Sequence, residues 1–181
     1  MIAAWPRPVP DDDPPDPPPI GARGVTLGDL AGMTFPPVRW VVPGYLAEGL
    51  TILAGAPKTG KSWLCMDVAL AVGLGGEALG SIRCERGSVL YCALEDNARR
   101  LQRRLDAMLP DRSRWAGDAV EFRTSLARLD NGGLDEIRDW IDRAACPRLC
   151  IVDTFAMVRP DGDAARVGVY QADTAALKPL H

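Results

Sequence analysis

Residues 55–62 have the composition and spacing of a phosphate-binding loop. They read GAPKTGKS and fit the pattern G-x-x-x-x-G-K-[ST] through Gly55, Gly60, Lys61 and Ser62. Glycine permits a tight turn that brings backbone N–H groups onto phosphate oxygens, and a helix that begins near Lys61 points its positive dipole end at the same anion. The pattern predicts that Lys61 binds the β- and γ-phosphates and that the Ser62 hydroxyl ligates Mg²⁺.

The whole loop and the residue after it are therefore candidates for contact with a nucleotide. These residues are Gly55, Ala56, Pro57, Lys58, Thr59, Gly60, Lys61, Ser62 and Trp63. The alternative is an ordinary glycine-rich turn. It fits less well, because an apolar strand pattern precedes the loop and a helical pattern follows it.

A second candidate is an apolar run that ends in an aspartate. Residues 149–154 read LCIVDT. A carboxylate at the carboxyl end of a strand lies where α/β sheets bind ligands, which predicts that Asp153 belongs to the Mg²⁺ shell. The pattern is weak alone, because many strands end in aspartate, and it gains its meaning from the phosphate-binding loop.

An acidic pair, Glu95 and Asp96, follows the run LYCAL directly. In a parallel sheet this pair lies at the same edge as the phosphate-binding loop and Asp153. A carboxylate there can polarise a water for attack on the γ-phosphate. It can equally be an acidic residue that favours the N-terminus of the next helix, and the chemistry alone does not decide between these roles.

The elements that position these residues alternate between apolar runs and helical patterns. Strands are predicted at 50–54, 88–93, 119–123 and 149–152, and helices at 61–73, 97–109, 134–145 and 170–177. The strands are apolar throughout rather than alternating, which favours a mostly parallel sheet with helices on both faces. The predicted fold class is α/β.

Outside this pattern, composition sets further limits. Residues 1–24 contain eight prolines and four aspartates, which predicts a disordered tail before a domain at 25–181.

The net charge of −3 gives no global basic signature for nucleic acid. The five cysteines include no CxxC pair and the single histidine is His181, so zinc binding is not expected. No signal peptide or membrane span is predicted, and we expect a cytoplasmic protein with reduced thiols.

The ordered motifs GAPKTGKS, YCALED and LCIVDT resemble those of RecA-like P-loop ATPases. More closely, they resemble AAA-family ATPases of plasmids and phages related to the RepA-type hexameric replicative helicase, over about residues 36–181. The resemblance implies Mg²⁺-dependent ATP hydrolysis in a ring-shaped homo-oligomer that acts on single-stranded DNA in replication. It also implies that Glu95, rather than Asp96, is the catalytic base and acts beside Lys61.

The chain departs from this family in its length. Such cores continue with further strands, a polar sensor residue and an arginine that serves the neighbouring subunit, so the 25–181 domain is expected to be the N-terminal part of a truncated core. The strand at 50–54 is then expected to lie at an exposed edge or to pair abnormally with the strand that ends at Asp153. The expected consequences are marginal stability and almost no ATPase activity. Two alternatives remain: a module that binds nucleotide without turnover, and a small-molecule kinase.

Overall fold

The computed structural model describes residues 1–5, 24–115 and 117–160. Within them the α-helices are Leu27–Gly32 (α1), Lys61–Leu74 (α2), Ala98–Met108 (α3) and Leu134–Arg143 (α4). The strands are Ile2–Ala4 (β1), Trp40–Val42 (β2), Leu46–Ala47 (β3), Gly49–Thr51 (β4), Glu77–Ala78 (β5), Ile82–Arg83 (β6), Ser88–Ala93 (β7), Val120–Arg123 (β8) and Pro147–Asp153 (β9). The bounds of α2, α3, α4, β7, β8 and β9 lie close to the predicted ones, whereas α1, β1, β2, β3, β5 and β6 were not predicted. The helix predicted at 170–177 lies outside the described residues.

The main sheet has the strand order β4-β1-β9-β7-β8. Strand β7 pairs in parallel with both β8 and β9, whereas β1 runs antiparallel to both of its neighbours, β4 and β9. The other four strands therefore share one direction, and β1 makes the sheet mixed. The predicted α/β class is confirmed, while the RecA-like identity of the fold stays a prediction.

The N-terminal strand β1 corrects the prediction of a disordered tail over residues 1–24. Ile2, Ala3 and Ala4 are all buried, and β1 pairs on both sides. The buried Arg148 guanidinium donates to the Trp5 carbonyl oxygen at 2.7 Å and anchors the end of the strand. The prediction failed for these residues because the proline-rich composition of the segment outweighed the short apolar start. Residues 6–23 lie outside the described residues.

The strand before the phosphate-binding loop, β4, lies at the edge of the described sheet. Its strand neighbour is β1, so β4 does not pair with β9. Among the described residues β4 has the predicted edge position, and the alternative of abnormal pairing with the strand that ends at Asp153 is wrong. The strand is also shorter than the predicted 50–54, since it ends at Thr51 and the Ile52 side chain is 66% exposed.

Helices cover both faces of the sheet, as the apolar strands predict. Val89, Tyr91 and Ala93 of β7 pack on the face that carries α2, while Leu90 and Cys92 pack on the face that carries α4. This alternation is the two-residue period of a strand that is buried on both sides. Within the described residues, no helix has the length and apolar composition that would cross a membrane.

Candidate functional site

The phosphate-binding loop connects β4 to α2 and takes a backbone path that only a few residue types favour. Gly60 has φ 92° and Lys58 has φ 64°, both in the left-handed region. Glycine is suited to the first position because it has no side chain to clash there. Helix α2 begins immediately afterwards at Lys61, so its first N–H groups face the loop.

The Lys61 ammonium lies across this loop. Its Nζ atom donates to the carbonyl oxygens of Gly55 and Ala56, each at 2.8 Å. The Thr59 hydroxyl donates to the same Ala56 oxygen at 2.9 Å. The lysine is thus held over the concave side of the loop, where a phosphate oxygen would replace the carbonyl oxygens as its acceptor.

The loop forms one wall of a cleft of about 700 Å³. Its predicted lining residues are Gly55, Pro57, Lys58, Gly60, Lys61, Ser62 and Trp63, joined by Glu95 and Asp153. Ala56 and Thr59 belong to the loop but do not line the cleft. The volume is in the range of small-molecule sites. The structure therefore brings the predicted residues of three separate segments to one cleft.

Trp63 lies at the wall of this cleft and is not part of the core. Its side chain is 44% exposed, and the Arg104 guanidinium lies 5.8 Å from the centre of its ring. The first turn of α2 therefore directs Trp63 toward α3 and the cleft.

The two members of the acidic pair have different surroundings. Glu95 lines the cleft, and the Thr154 hydroxyl donates to its Oε1 atom at 3.0 Å. The Asp96 side chain is only 5% exposed and forms ion pairs with Arg100 and Arg104 of α3. Only Glu95 is therefore positioned to reach a ligand in the cleft.

Tyr91 links the two residues that are predicted to hold a metal. Its hydroxyl lies 3.0 Å from Asp153 Oδ2, to which it donates, and 3.3 Å from the Ser62 carbonyl oxygen. Burial, and then the nearby Asp153 carboxylate, raise the pKa of the Tyr91 hydroxyl, so it stays protonated and remains a donor.

The oxygen atoms that Ser62 and Asp153 present to the cleft are suitable ligands for Mg²⁺. A hydroxyl from Ser62 and a carboxylate from Asp153 are oxygen ligands, and Mg²⁺ in nucleotide sites uses one or two such groups together with phosphates and waters. An all-protein cage is not needed. Within the described residues, no group of three or more His, Cys, Asp or Glu side chains is arranged to hold a metal.

Four residues at the site were not predicted from the sequence: Thr154, Arg100 and Arg104 line the cleft, and the buried Tyr91 donates to Asp153. Tyr91 and Thr154 belong to the motifs YCALED and LCIVDT, but a tyrosine or threonine at these positions does not by itself indicate a function. Arg100 and Arg104 belong to a cluster of four arginines on α3, a pattern that also fits a solvated helical face. The cluster of arginines directly after the acidic pair was the available signal.

Comparison with protein families gives an independent result. A family model described as an AAA domain matches residues 15–176, a range that includes the loop, Glu95 and Asp153. Comparisons with curated proteins and with solved structures returned no match.

Proposed function

Since the chain belongs to the AAA-domain family of P-loop ATPases, we propose that it binds ATP with Mg²⁺ in this cleft and hydrolyses it. The observation that carries the proposal is the convergence of Lys61, Glu95 and Asp153 on one cleft from three different elements. Each has the chemistry that one part of the reaction requires: a cation for phosphate, a base for water and an oxygen ligand for the metal.

In this proposal the loop binds the phosphates before any chemistry occurs. The N-terminus of α2 and the loop amides attract the anion, and the Lys61 ammonium exchanges the carbonyl oxygens of Gly55 and Ala56 for oxygens of the β- and γ-phosphates. The position of this cation across the loop supports the proposal, because little side-chain movement is needed for the exchange.

Glu95 then serves as the general base. Its carboxylate accepts a proton from the water that attacks the γ-phosphate, and the Thr154 hydroxyl fixes the orientation of that carboxylate. Ser62 and Asp153 hold Mg²⁺, which when bound neutralises charge on the phosphate oxygens. Tyr91 keeps Asp153 beside the first turn of α2.

The wider role rests on the resemblance of the motifs to RepA-type helicases. On that ground we propose that the ATPase acts as a ring-shaped homo-oligomer on single-stranded DNA, in the replication of mobile elements and in the cytoplasm. Hydrolysis that single-stranded DNA stimulates would support this role. Binding without turnover, or phosphate transfer to a small acceptor, would favour one of the two alternatives.

The direct test is a titration of the Lys61→Ala variant with nucleotide, in which binding is measured by fluorescence. Loss of a charge-assisted contact to phosphate is expected to weaken ATP binding by about tenfold or more. Arg138→Ala is the matched control, because Arg138 is an exposed cation that pairs with Asp135 on α4, outside the cleft. Affinity of Lys61→Ala within twofold of the wild type would overturn the assignment of the loop.

A further inference from the structure

Two arginines of α3 extend into the cleft beside Glu95. Arg100 and Arg104 lie one helical turn apart, and both line the cleft that holds Lys61 and Asp153. Both also contact the Asp96 carboxylate. A nucleotide site that already contains Lys61 thus has two additional guanidinium groups, supplied by the same chain.

The Asp96 carboxylate explains why these side chains take these positions. It is 5% exposed, and a buried carboxylate is costly unless cations pair with it. Arg104 donates a hydrogen bond to Asp96 Oδ2 and lies over the Trp63 ring, so two partners fix it. Arg104 is accordingly the better buried of the two arginines, with 22% of its side chain exposed.

Arg100 is held less completely. Its Nε atom lies 2.9 Å from Asp96 Oδ1, yet this buried oxygen receives no aligned hydrogen bond from the described residues. The side chain is 54% exposed, and it lines both the cleft and the adjacent groove that Trp63 and Arg103 share. An ion pair without hydrogen-bond alignment leaves the guanidinium able to turn its planar donor fork toward another anion.

We propose that Arg100 is a further phosphate-binding residue, which contacts the terminal phosphate of a triphosphate bound in its own chain. Asp96 and Arg104 are positioning residues that keep Arg100 at the cleft. The inference rests on the proposed function, since it needs a nucleotide in the cleft. The position of Glu95 indicates which phosphate Arg100 would contact. A base that activates the attacking water must lie near the terminal phosphate, and Arg100 follows Glu95 at the start of α3.

A consequence of this contact is discrimination between triphosphate and diphosphate. The loop amides and Lys61 contact the β-phosphate, which both nucleotides carry, and Lys61 also reaches the γ-phosphate, whereas Arg100 at the Glu95 end would contact only the terminal phosphate of a triphosphate. Arginine suits this task, because its guanidinium is always charged and its fork matches the oxygens of a phosphate group. The ion pair of Arg100 Nε with Asp96 would persist in this complex, while the terminal N–H groups of the guanidinium contact the phosphate.

The experiment compares Arg100→Ala with Arg103→Ala, a matched control on the same helix. Arg103 faces the adjacent groove beside Trp63 and does not line the cleft. The dissociation constants of ADP and of a non-hydrolysable ATP analogue, each with Mg²⁺, are measured by calorimetric titration. Arg100→Ala is expected to raise the dissociation constant of the ATP analogue by about tenfold or more and to leave that of ADP within about twofold of the wild type. Arg103→Ala is expected to change neither, and Arg100→Lys to retain part of the affinity.

The possible results separate this inference from the proposed function. An unchanged ratio of the two affinities in Arg100→Ala, with the wild type binding both nucleotides, overturns the role of Arg100 alone. An equal loss in Arg103→Ala also overturns it, because general surface charge would then account for the effect. A wild-type chain that binds neither nucleotide overturns both proposals.

Asp96→Asn tests the positioning role through the same ratio. Removal of the negative charge releases Arg100, so the ATP analogue is expected to lose affinity relative to ADP. A role of Asp96 in stability alone would lower the melting temperature and leave the ratio of affinities unchanged. That outcome would contradict its assignment as a positioning residue.

Discussion

The Thr154 hydroxyl donates a hydrogen bond to Glu95 Oε1 at 3.0 Å. The two residues are 59 positions apart in the sequence, and the strand register brings them together. Strands β7 and β9 pair in parallel with Ala93 opposite Asp153, so the residues that follow the two strands become neighbours at the edge of the cleft. A carboxylate held through one oxygen keeps the other at a defined position, as a base for water requires.

Glu95→Gln tests the proposed role of Glu95 as the general base. The amide cannot accept a proton from water but keeps the size of the side chain, so turnover is expected to fall by roughly 10²-fold or more while ATP binding stays nearly intact. Steady-state hydrolysis and a binding titration measure the two effects. Hydrolysis within threefold of the wild type would contradict the role of Glu95.

Thr154→Val tests the hydrogen bond itself. Valine has almost the same shape as threonine without the hydroxyl, so Glu95 loses its fixed orientation and kcat is expected to fall by about tenfold, with KM little changed. Thr154→Ser keeps the donor and is the control, with an expected kcat close to that of the wild type. Equal rates for the valine and serine variants would show that the hydroxyl does not matter.

Tyr91→Phe removes the hydroxyl that lies between Asp153 and the Ser62 carbonyl oxygen. The ring contact with Phe122, at 5.6 Å between centroids, is expected to remain. Loss of a hydrogen bond to a charged group is expected to lower the free energy of unfolding by about 2 kcal/mol and to raise the Mg²⁺ concentration that supports half-maximal hydrolysis. Urea unfolding and a Mg²⁺ titration measure these changes. Tyr45→Phe at an exposed tyrosine is the control, and an equal effect there would refute the prediction.

Ala3→Asp tests the contribution of β1 to the site. Ala3 is 2% exposed and pairs with Leu50 on one side and Cys150 on the other. An unpaired carboxylate there is expected to cost about 3 kcal/mol of stability and to weaken nucleotide binding, because β1 connects β4 to the rest of the sheet. Ala31→Asp makes the same change at an exposed position of α1. Unfolding curves that do not differ between the two variants would rule out this role.

The cysteines give a prediction about accessibility. Cys146 is exposed, whereas Cys65, Cys84, Cys92 and Cys150 are buried. Burial, with a contribution from nearby Asp153, raises the pKa of the Cys65 thiol to about 11, which leaves very little reactive thiolate at neutral pH. Iodoacetamide is therefore expected to label Cys146 alone in the native protein, as read by mass spectrometry. Cys146→Ser should abolish native labelling, and labelling of Cys65 at the rate of Cys146 would contradict the structure.

Features that depend on local order along the chain could be predicted from the amino-acid sequence. The spacing of Gly55, Gly60, Lys61 and Ser62 predicted a phosphate-binding loop and the start of α2, because a turn and the helix that follows it involve only neighbouring residues. The apolar runs located β7 and β9 to within two residues, since strands buried on both faces require continuous apolar side chains. Each strand then led to its acidic residue, Glu95 or Asp153.

Contacts between residues that are far apart in the sequence could not be predicted, because they depend on how the strands and helices pack. The pairing of β7 with β9 brings Thr154 to Glu95, and the fold of α2 against the sheet brings the Ser62 carbonyl to Tyr91. Nothing in the local sequence around the proline-rich N-terminus indicated that β1 enters the sheet between β4 and β9. The position of β1 depends on the unpaired edges of β4 and β9, which are far from it in the chain. Those edges come together only when the sheet forms.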